Sequence, residues 1–239
     1  MKKTFLTAHW KQLLFINYTV NPDILTPYLP KGTQVDCWNN QCFVSLVGFM
    51  FLDTRIKGIP IPFHTNFEEF NLRFYVTFNQ DNTTKRGVVF IKEIVPRRMI
   101  CAVAKLLYGE HYYYHPMQHQ ILQSEETIKV SYGFKHNKQW NQIAAVATTN
   151  TFLAPAGSEE NFITEHYWGY TKVSADTTSE YQVVHPPWAL HQVLSHQVNC
   201  DVSSLYGPAF TPFLQQPPSS VFLASGSPVS VLGRKLWQF

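Results

Sequence analysis

The chain has 239 residues, with 19 Lys and Arg against 16 Asp and Glu, for a formal net charge of +3. Charged residues make up 15 % and hydrophobic residues 45 %, which excludes an intrinsically disordered chain. The length suits one large domain or two small ones, and folding should bury about 70–75 % of the unfolded chain's surface.

Aromatic residues also reach 15 %, with 12 Tyr, 18 Phe and 6 Trp. Such residues favour pleated, half-buried surfaces, so a mostly β protein is expected. The basic residues are scattered, pairing only at places such as Lys2-Lys3, Arg97-Arg98 and Arg234-Lys235. That distribution argues against a nucleic-acid partner. The longest mostly apolar run, Cys42 to Leu52, ends at Asp53 and falls short of the ~17–25 residues that span a bilayer. Lys2-Lys3 imitates the start of a signal peptide, but His9 and Lys11 arrive before any apolar stretch of the required ~7–15 residues. These features point to a cytoplasmic protein without a membrane partner. The four cysteines, Cys37, Cys42, Cys101 and Cys200, make no CxxC pair and are expected to be reduced thiols. Cys37 and Cys42, flanking a turn at Asn39-Asn40, are the one pair whose spacing allows a bridge.

In chain order, Pro22 to Leu29 reads as a short helix with Asn21 as N-cap and Pro22 at the first helical position, stopped by Pro30-Lys31-Gly32. Val35 to Trp38 and Gln41 to Phe51 read as a hairpin around Asn39-Asn40. Thr65 to Phe78 alternates as a strand, and Gly87 to Val95 suits a buried one. Arg97 to Tyr108 has helical spacing with Gly109 as its stop. A second hairpin joins Met117–Gln123 to Thr127–Phe134, and Gln142 to Phe152 is a further strand. Ser158 can cap a short helix from Glu159 to about His166. Strand candidates follow at Tyr181–His185, Ser195–Val202, Val221–Ala224 and Val229–Leu232. Many strands and few helices predict an antiparallel barrel or sandwich of α+β flavour.

On the strand Glu68 to Val76, Glu69, Asn71, Arg73 and Tyr75 share one face, while Phe70, Leu72, Phe74 and Val76 share the other. The polar face is either a solvated exterior or a stripe lining a cavity, in which Arg73 offers its fork to a ligand carboxylate. The next strand carries Lys92 and Glu93 inside an apolar run. They point to opposite faces of a regular strand, so only one can enter a given pocket. Glu93 is a candidate general base and Lys92 a candidate amine nucleophile. His111, His115 and His119 are spaced by four, but Pro116 interrupts any helix, so a pocket rim of aromatics and histidines fits better than a metal site. His185-Pro186-Pro187-Trp188 reads as a rigid turn with a packed indole. No G-x-S-x-G elbow, Walker loop or GxGxxG is present.

Several segments carry a resemblance. Leu14-Phe15-Ile16-Asn17-Tyr18 through Pro22-Asp23-Ile24-Leu25, then Leu29-Pro30 and Val35-Asp36, resembles the opening of the acetoacetate decarboxylase superfamily. The strand Glu69 to Val76, Gly157-Ser158 to Tyr170, His185-Pro186-Pro187-Trp188 and Leu205-Tyr206-Gly207 are similar to the uncharacterised bacterial YqjF-like branch, a domain-of-unknown-function family. The resemblance spans nearly the whole chain. It implies a single domain, 1–239, built on an antiparallel barrel with an internal cavity and a few short helices, and it turns the polar face of Glu69, Asn71 and Arg73 inward. The decarboxylases place a Schiff-base lysine in a Pro-Lys-Lys stretch, whose nearest counterpart here is Pro96-Arg97-Arg98. Arginine keeps the positive potential but cannot form the imine. Lys92 and Lys105 are the nearest amines.

Two functions are therefore expected to compete: a cofactor-independent, metal-free binding barrel for a small organic acid or aromatic compound, and a lyase- or decarboxylase-like enzyme acting on a small oxo acid. Glu93 and Lys92 are the catalytic candidates. Glu69, Asn71, Arg73, Tyr75, Arg97, Arg98, His111 and His115 are the candidates for holding the ligand. Homo-oligomers are common in this superfamily, so the resemblance extends that expectation as well.

Overall fold

The computed structural model describes residues 3–101 and 110–239. The first half runs β1 (Thr4–Val20), a 3-10 helix (Pro22–Tyr28), β2 (Thr33–Val35), β3 (Cys37–Trp38), β4 (Gln41–Ile56), β5 (Ile59–Pro60), β6 (Phe67–Gln80) and β7 (Thr83–Val95). The second half runs β8 (Tyr112–Tyr114), β9 (Met117–Gln123), β10 (Thr127–His136), β11 (Gln139–Leu153), α1 (Glu159–Thr164), β12 (Trp168–Lys172), β13 (Thr177–Val184), β14 (Ala189–Asn199), α2 (Val202–Tyr206), α3 (Thr211–Leu214), β15 (Ser220–Leu232) and β16 (Lys235–Gln238).

Local chemistry sets many of these boundaries. The Asn21 side chain accepts from Asp23 N–H, and Pro22 occupies the first turn of the 3-10 helix. Ser158 likewise accepts from Asn161 N–H at the start of α1. Asn39 and Asn40 both adopt positive φ, as the tight turn between β3 and β4 requires. Val35, expected in that hairpin, pairs instead with Val76 of β6. Cys37 and Cys42 face each other across the hairpin with their Cα atoms 4.4 Å apart and are joined by a disulfide. The expectation of four reduced thiols is corrected: in antiparallel strands a non-hydrogen-bonded pair lies close enough for a bridge. The expected helix from Arg97 begins as one turn over residues 98–101, and its remainder, with Lys105 and Gly109, lies outside the described residues. Two expected tail strands, at Val221 and Val229, are one continuous β15 that passes through Gly226 at positive φ. The strand expected over Ser195–Val202 instead runs from Ala189 to Asn199, because Asp201 caps α2.

The pairings run β15–β1–β4–β6–β7–β12–β13, and β13 then pairs back to β15 through Val183↔Val231 and Val184↔Ser230. From β15 a second set of strands, β14–β11–β10–β9, extends away. Most neighbours are antiparallel, but β7 pairs in parallel with β12 and with β8. The sheet is therefore mixed, and the expectation of a wholly antiparallel arrangement is corrected.

Two apolar cores result. One packs Leu14, Ile16, Leu46, Leu72 and Phe74 against Ile128, Val130, Tyr132 and Phe134 of β10, together with Leu205, Phe210 and Leu214 of the α2–α3 region. The other gathers Leu13, Phe15, Val47, Phe49, Phe51 and Val88 with Phe162, Ile163 and Trp188. Strands β1, β4, β6 and β7 contribute to both cores, so each is buried on both faces.

Candidate functional site

The second core surrounds a cavity of about 370 Å³. All of β1, β4, β6, β7, β12, β13 and β15 contribute lining residues, and so does the Met99-Ile100 turn. Most of the wall is aromatic or aliphatic, including Trp10, Phe49, Phe51, Phe67, Phe90 and Trp188. Into it project Glu69, Asn71, Arg73, Glu93, Glu110, Tyr112, His166, Tyr181 and His185. An apolar chamber with a few converging polar groups is the usual form of a small-molecule site.

Strand alternation delivers the first three. Asn71 Nδ2 donates to Glu69 Oε1 at 2.9 Å, and Tyr112 OH donates to Glu69 Oε2 at 2.9 Å. Glu93 arrives by a different route. Leu72 pairs with Lys92, whereas Arg73 pairs with Phe90, so Ile91 is an extra residue in β7. This bulge turns two consecutive side chains, Ile91 and Lys92, to the outer face and brings Glu93 inward. The Glu93 N–H donates to His111 O at 3.1 Å, holding the strand of Tyr112 alongside β7. Gly169 faces Tyr181 across the β12–β13 ladder, and a Cβ there would collide with the phenol ring. The glycine thus makes room for Tyr181 beside the carboxyls.

The three carboxyl groups are buried, with Glu69, Glu93 and Glu110 at 2 %, 1 % and 4 % exposure. Burial is the main cause pushing Glu69 up to about 7, against hydrogen bonds from Asn71 and Tyr112 and the charge of Arg73. Burial also pushes Glu110 up to about 7, with Thr171, Tyr181 and Glu93 around it holding the rise in check. Glu93 is raised well above the usual carboxylate range by burial, then by its two acidic neighbours Glu110 and Glu69. The cluster therefore holds protons near neutral pH, and each protonated acid is a donor.

Arg73 stands on the same face. It is 8 % exposed, and its Nη2 donates to Ile163 O at 3.3 Å. Its guanidinium lies 5.0 Å from the centre of the Phe15 ring and 5.5 Å from that of Tyr75. Its Nε has no hydrogen-bond partner, and among the described residues no carboxylate reaches ion-pair distance from it.

The other expected residues divide sharply. Tyr75 shares the inner face but lies behind the cavity wall, its hydroxyl 2.6 Å from Ser45 Oγ. Lys92 points away: Nζ donates to Leu205 O at the end of α2 and sits over the rings of Tyr113 and Tyr206. Its assignment as an amine in the pocket is corrected, for the bulge places it on the opposite face. Arg97 and Arg98 are exposed, Arg97 donating to Phe63 O and Arg98 lying over Tyr114. His111 is exposed, and His115 Nδ1 bonds Lys135 O outside the cavity. None of these four reaches the lining, so the expected rim of cations and histidines at 97, 98, 111 and 115 is corrected too. His119 bonds Glu68, and no cluster of metal-ligating side chains forms among the described residues. In the turn of His185, the imidazole stacks on Trp188 at 4.1 Å, and the indole N–H donates to Ser227.

Sequence reasoning did not single out Glu110, Tyr181 or His166. No local pattern marks them, because each comes from a different strand or loop and meets the others only in three dimensions.

Comparison with known proteins gives a consistent outcome. Bacillus subtilis (strain 168) has an uncharacterized protein, YqjF, that is 28 % identical over 183 residues, covering 76 % of this chain and 73 % of its own. An acetoacetate decarboxylase of Legionella pneumophila superposes with TM-score 0.64 at 11 % identity, covering 96 % of this chain and 86 % of its own. An acetoacetate decarboxylase-like enzyme of Sphingomonas wittichii RW1 gives 0.67 at 10 % identity, over 99 % and 94 %. The enduracididine biosynthesis enzyme MppR, solved in complex with pyruvate, gives 0.67 at 11 %, over 99 % and 91 %. At such identities the structural likeness establishes the fold alone. No helix among the described residues is long and apolar enough to cross a membrane. The model of DUF2071, an uncharacterized conserved protein family, matches residues 7–228, and the chain belongs to that family.

Proposed function

We propose that the chain is one domain, 1–239, whose ring of seven strands forms a barrel enclosing a binding chamber for a small organic acid, with Arg73 as the group that holds its carboxylate. The observation that carries this reading is the unsatisfied guanidinium. A buried cation normally has a carboxylate beside it, because an uncompensated charge in an apolar setting is costly. Arg73 lines the cavity with one backbone oxygen and two aromatic faces as its partners, and its buried Nε has none. A ligand carboxylate supplies the missing partner and suits the planar fork. The aromatic wall favours an apolar or aromatic body behind that carboxylate. The pyruvate bound by MppR, in the same fold, is a small acid of this class.

A second reading has its own support in the carboxyl cluster. Protonated Glu93 and half-protonated Glu69 and Glu110 stand beside the same space, an arrangement suited to donating a proton to a bound oxo acid without a cofactor. In that reading Glu93 and Arg73 keep their roles and Lys92 has none.

Isothermal titration with a panel of small aliphatic and aromatic carboxylates tests the first reading. Wild-type protein binds members of the panel, Arg73→Met loses that binding, and Arg98→Met retains it. Equal binding by Arg73→Met and wild type overturns the assignment. Incubation of a bound oxo acid in deuterated water, followed by mass spectrometry, separates a binder from a proton-transfer enzyme.

A further inference from the structure

The cavity that Arg73 lines is polar and shut at one end, apolar and partly exposed at the other. Strand register locates both ends. Arg73 lies opposite Ser45, Ser45 opposite Asn17 and Asn17 opposite Ser220, a row across β6, β4, β1 and β15. Ser45 and Asn17 are 0 % exposed and hydrogen-bonded to each other, and Ser220 Oγ receives Asn17 Nδ2 at 3.0 Å. Helix α1 closes this end, with Phe162, Ile163 and Thr164 buried and Arg73 donating to Ile163 O. The other row is Val183, Val231, Leu6 and Ile56, successive partners across β13, β15, β1 and β4. All four line the cavity and all four are partly exposed. Ile61, just past β5, and Met99, 47 % exposed, line the cavity too. The bond from Arg97 Nε to Phe63 O ties the turn of Met99 to the loop of Ile61. Together these six side chains form an apolar collar.

Along β4 the two rows stand at Ser45 and Ile56, roughly 30–35 Å of strand apart at the usual rise per residue. Aromatic rings lead from one toward the other. The Arg73 guanidinium sits 5.0 Å from the Phe15 ring, and Phe15 lies 6.4 Å from Trp188. Trp188 lies 6.0 Å from Trp10, and Trp10 5.6 Å from Phe51. Trp188, Trp10 and Phe51 all line the cavity. The buried acids come from β6, β7 and the segment before β8, so this track along β1 and β4 carries no charge. An acid of two or three carbons at Arg73 would leave both the track and the collar bare.

We infer that the acid held by Arg73 is a medium-chain alkanoate, bound head first, whose tail lies along the aromatic track and ends at the collar. The inference rests on the reading of Arg73 as the carboxylate anchor, and it narrows small organic acids to those of elongated apolar form. Each methylene moved from water onto such a wall tightens binding about three- to fourfold. A short acid gains only the anchor. Past the collar a longer tail meets water and gains nothing more.

The test is titration calorimetry with butyrate, hexanoate, octanoate and decanoate, and with octanamide as an uncharged control. Affinity for wild-type protein should rise about tenfold at each two-carbon step. Octanamide should bind at least about tenfold more weakly than octanoate. Leu6→Ser and Met99→Ser, both at the collar, should weaken decanoate several-fold and leave butyrate unchanged. Met99 is the more exposed of the two, so its variant decides should Leu6→Ser fail to fold. Equal binding of butyrate and decanoate overturns the tail and leaves the Arg73 anchor standing. A rise with length that neither collar variant alters overturns the head-first placement. Octanamide equal to octanoate, with octanoate binding intact in Arg73→Met, overturns the anchor and the inference with it. Absence of binding for every acid overturns both readings together.

Discussion

Strand β6 divides two interiors. On its outer face Phe70, Leu72, Phe74 and Val76 are each 0 % exposed and meet only apolar side chains of the first core. On its inner face Glu69, Asn71 and Arg73 are almost as dry, yet they meet a cavity and one another. The outer face holds the fold together by apolar burial. The inner face holds charge and protons away from water at a cost that only a closed, well-supported wall sustains. Stability and chemistry are thus separated by a single peptide's thickness.

The sharpest way to break this contrast is to truncate each face in turn. Phe74→Ala should cost about 3–5 kcal/mol in urea unfolding, as large aromatic deletions do. Arg73→Met should leave the unfolding midpoint near wild type, because it removes an unpaired buried charge rather than packing. A large loss of stability in Arg73→Met would mean that the guanidinium is structural.

A somewhat smaller effect is expected at the hairpin that sets where β4 begins, and hence the alternation on both faces. Replacing Cys37 and Cys42 with Ala opens a six-residue loop worth about 2 kcal/mol by chain-entropy arithmetic. Thermal melts with and without reductant check it, and the double variant should respond to neither.

The inner face should also be visible as a pH effect. The folded protein keeps protons on Glu69 and Glu110 up to about pH 7, whereas an unfolded glutamate releases its proton near 4.5. The stabilisation this gives is complete below about 4.5 and is lost as pH rises to 7. His166, lowered to about 4 from 6.5, works in the other direction, giving stability above 6.5 that is lost as pH falls through 4. Glu93→Gln removes the acid with the strongest reason to stay neutral. It should raise the melting temperature by about 2–4 °C at pH 8 and change it little at pH 5. An unchanged melting temperature at both values would show that the carboxyls are solvated.

The smallest effect tests the outer side of β7. Lys92→Met loses one bond to the end of α2 and should cost about 1 kcal/mol while leaving ligand titrations unaltered. A loss of binding in that variant would place Lys92 in the site after all.

Much of this was legible in the sequence. Alternation located β6 and β7, turn residues located both hairpins, and Asn21 and Ser158 marked two helix starts as caps. The inward direction of Glu69, Asn71 and Arg73 was not legible from alternation, because a polar stripe has the same period whether it meets water or a cavity. What decided it is the closure of the pairings from β13 to β15, a contact between distant strands. The rim assigned to Arg97, Arg98, His111 and His115 failed for a related reason: charge and sequence proximity to β7 say nothing about which side of a turn faces in. His166 lay at the edge of an expected helix, and its hydrogen-bond partner Asp36 is 130 residues away.

The extra residue at Ile91 has a consequence for how such pockets diversify. Counted from Val88, a regular strand would turn Lys92 inward, and counted back from Val95 it would turn Glu93 inward. The bulge is a phase shift between these two countings. A cavity built this way can exchange an acid for an amine without any substitution at its lining, by gaining or losing one strand irregularity. Relatives that keep the same Lys-Glu pair but differ in the regularity of this strand would then carry different reactive groups on an unchanged scaffold. Aligning them by residue identity alone would equate positions that face opposite sides of the wall.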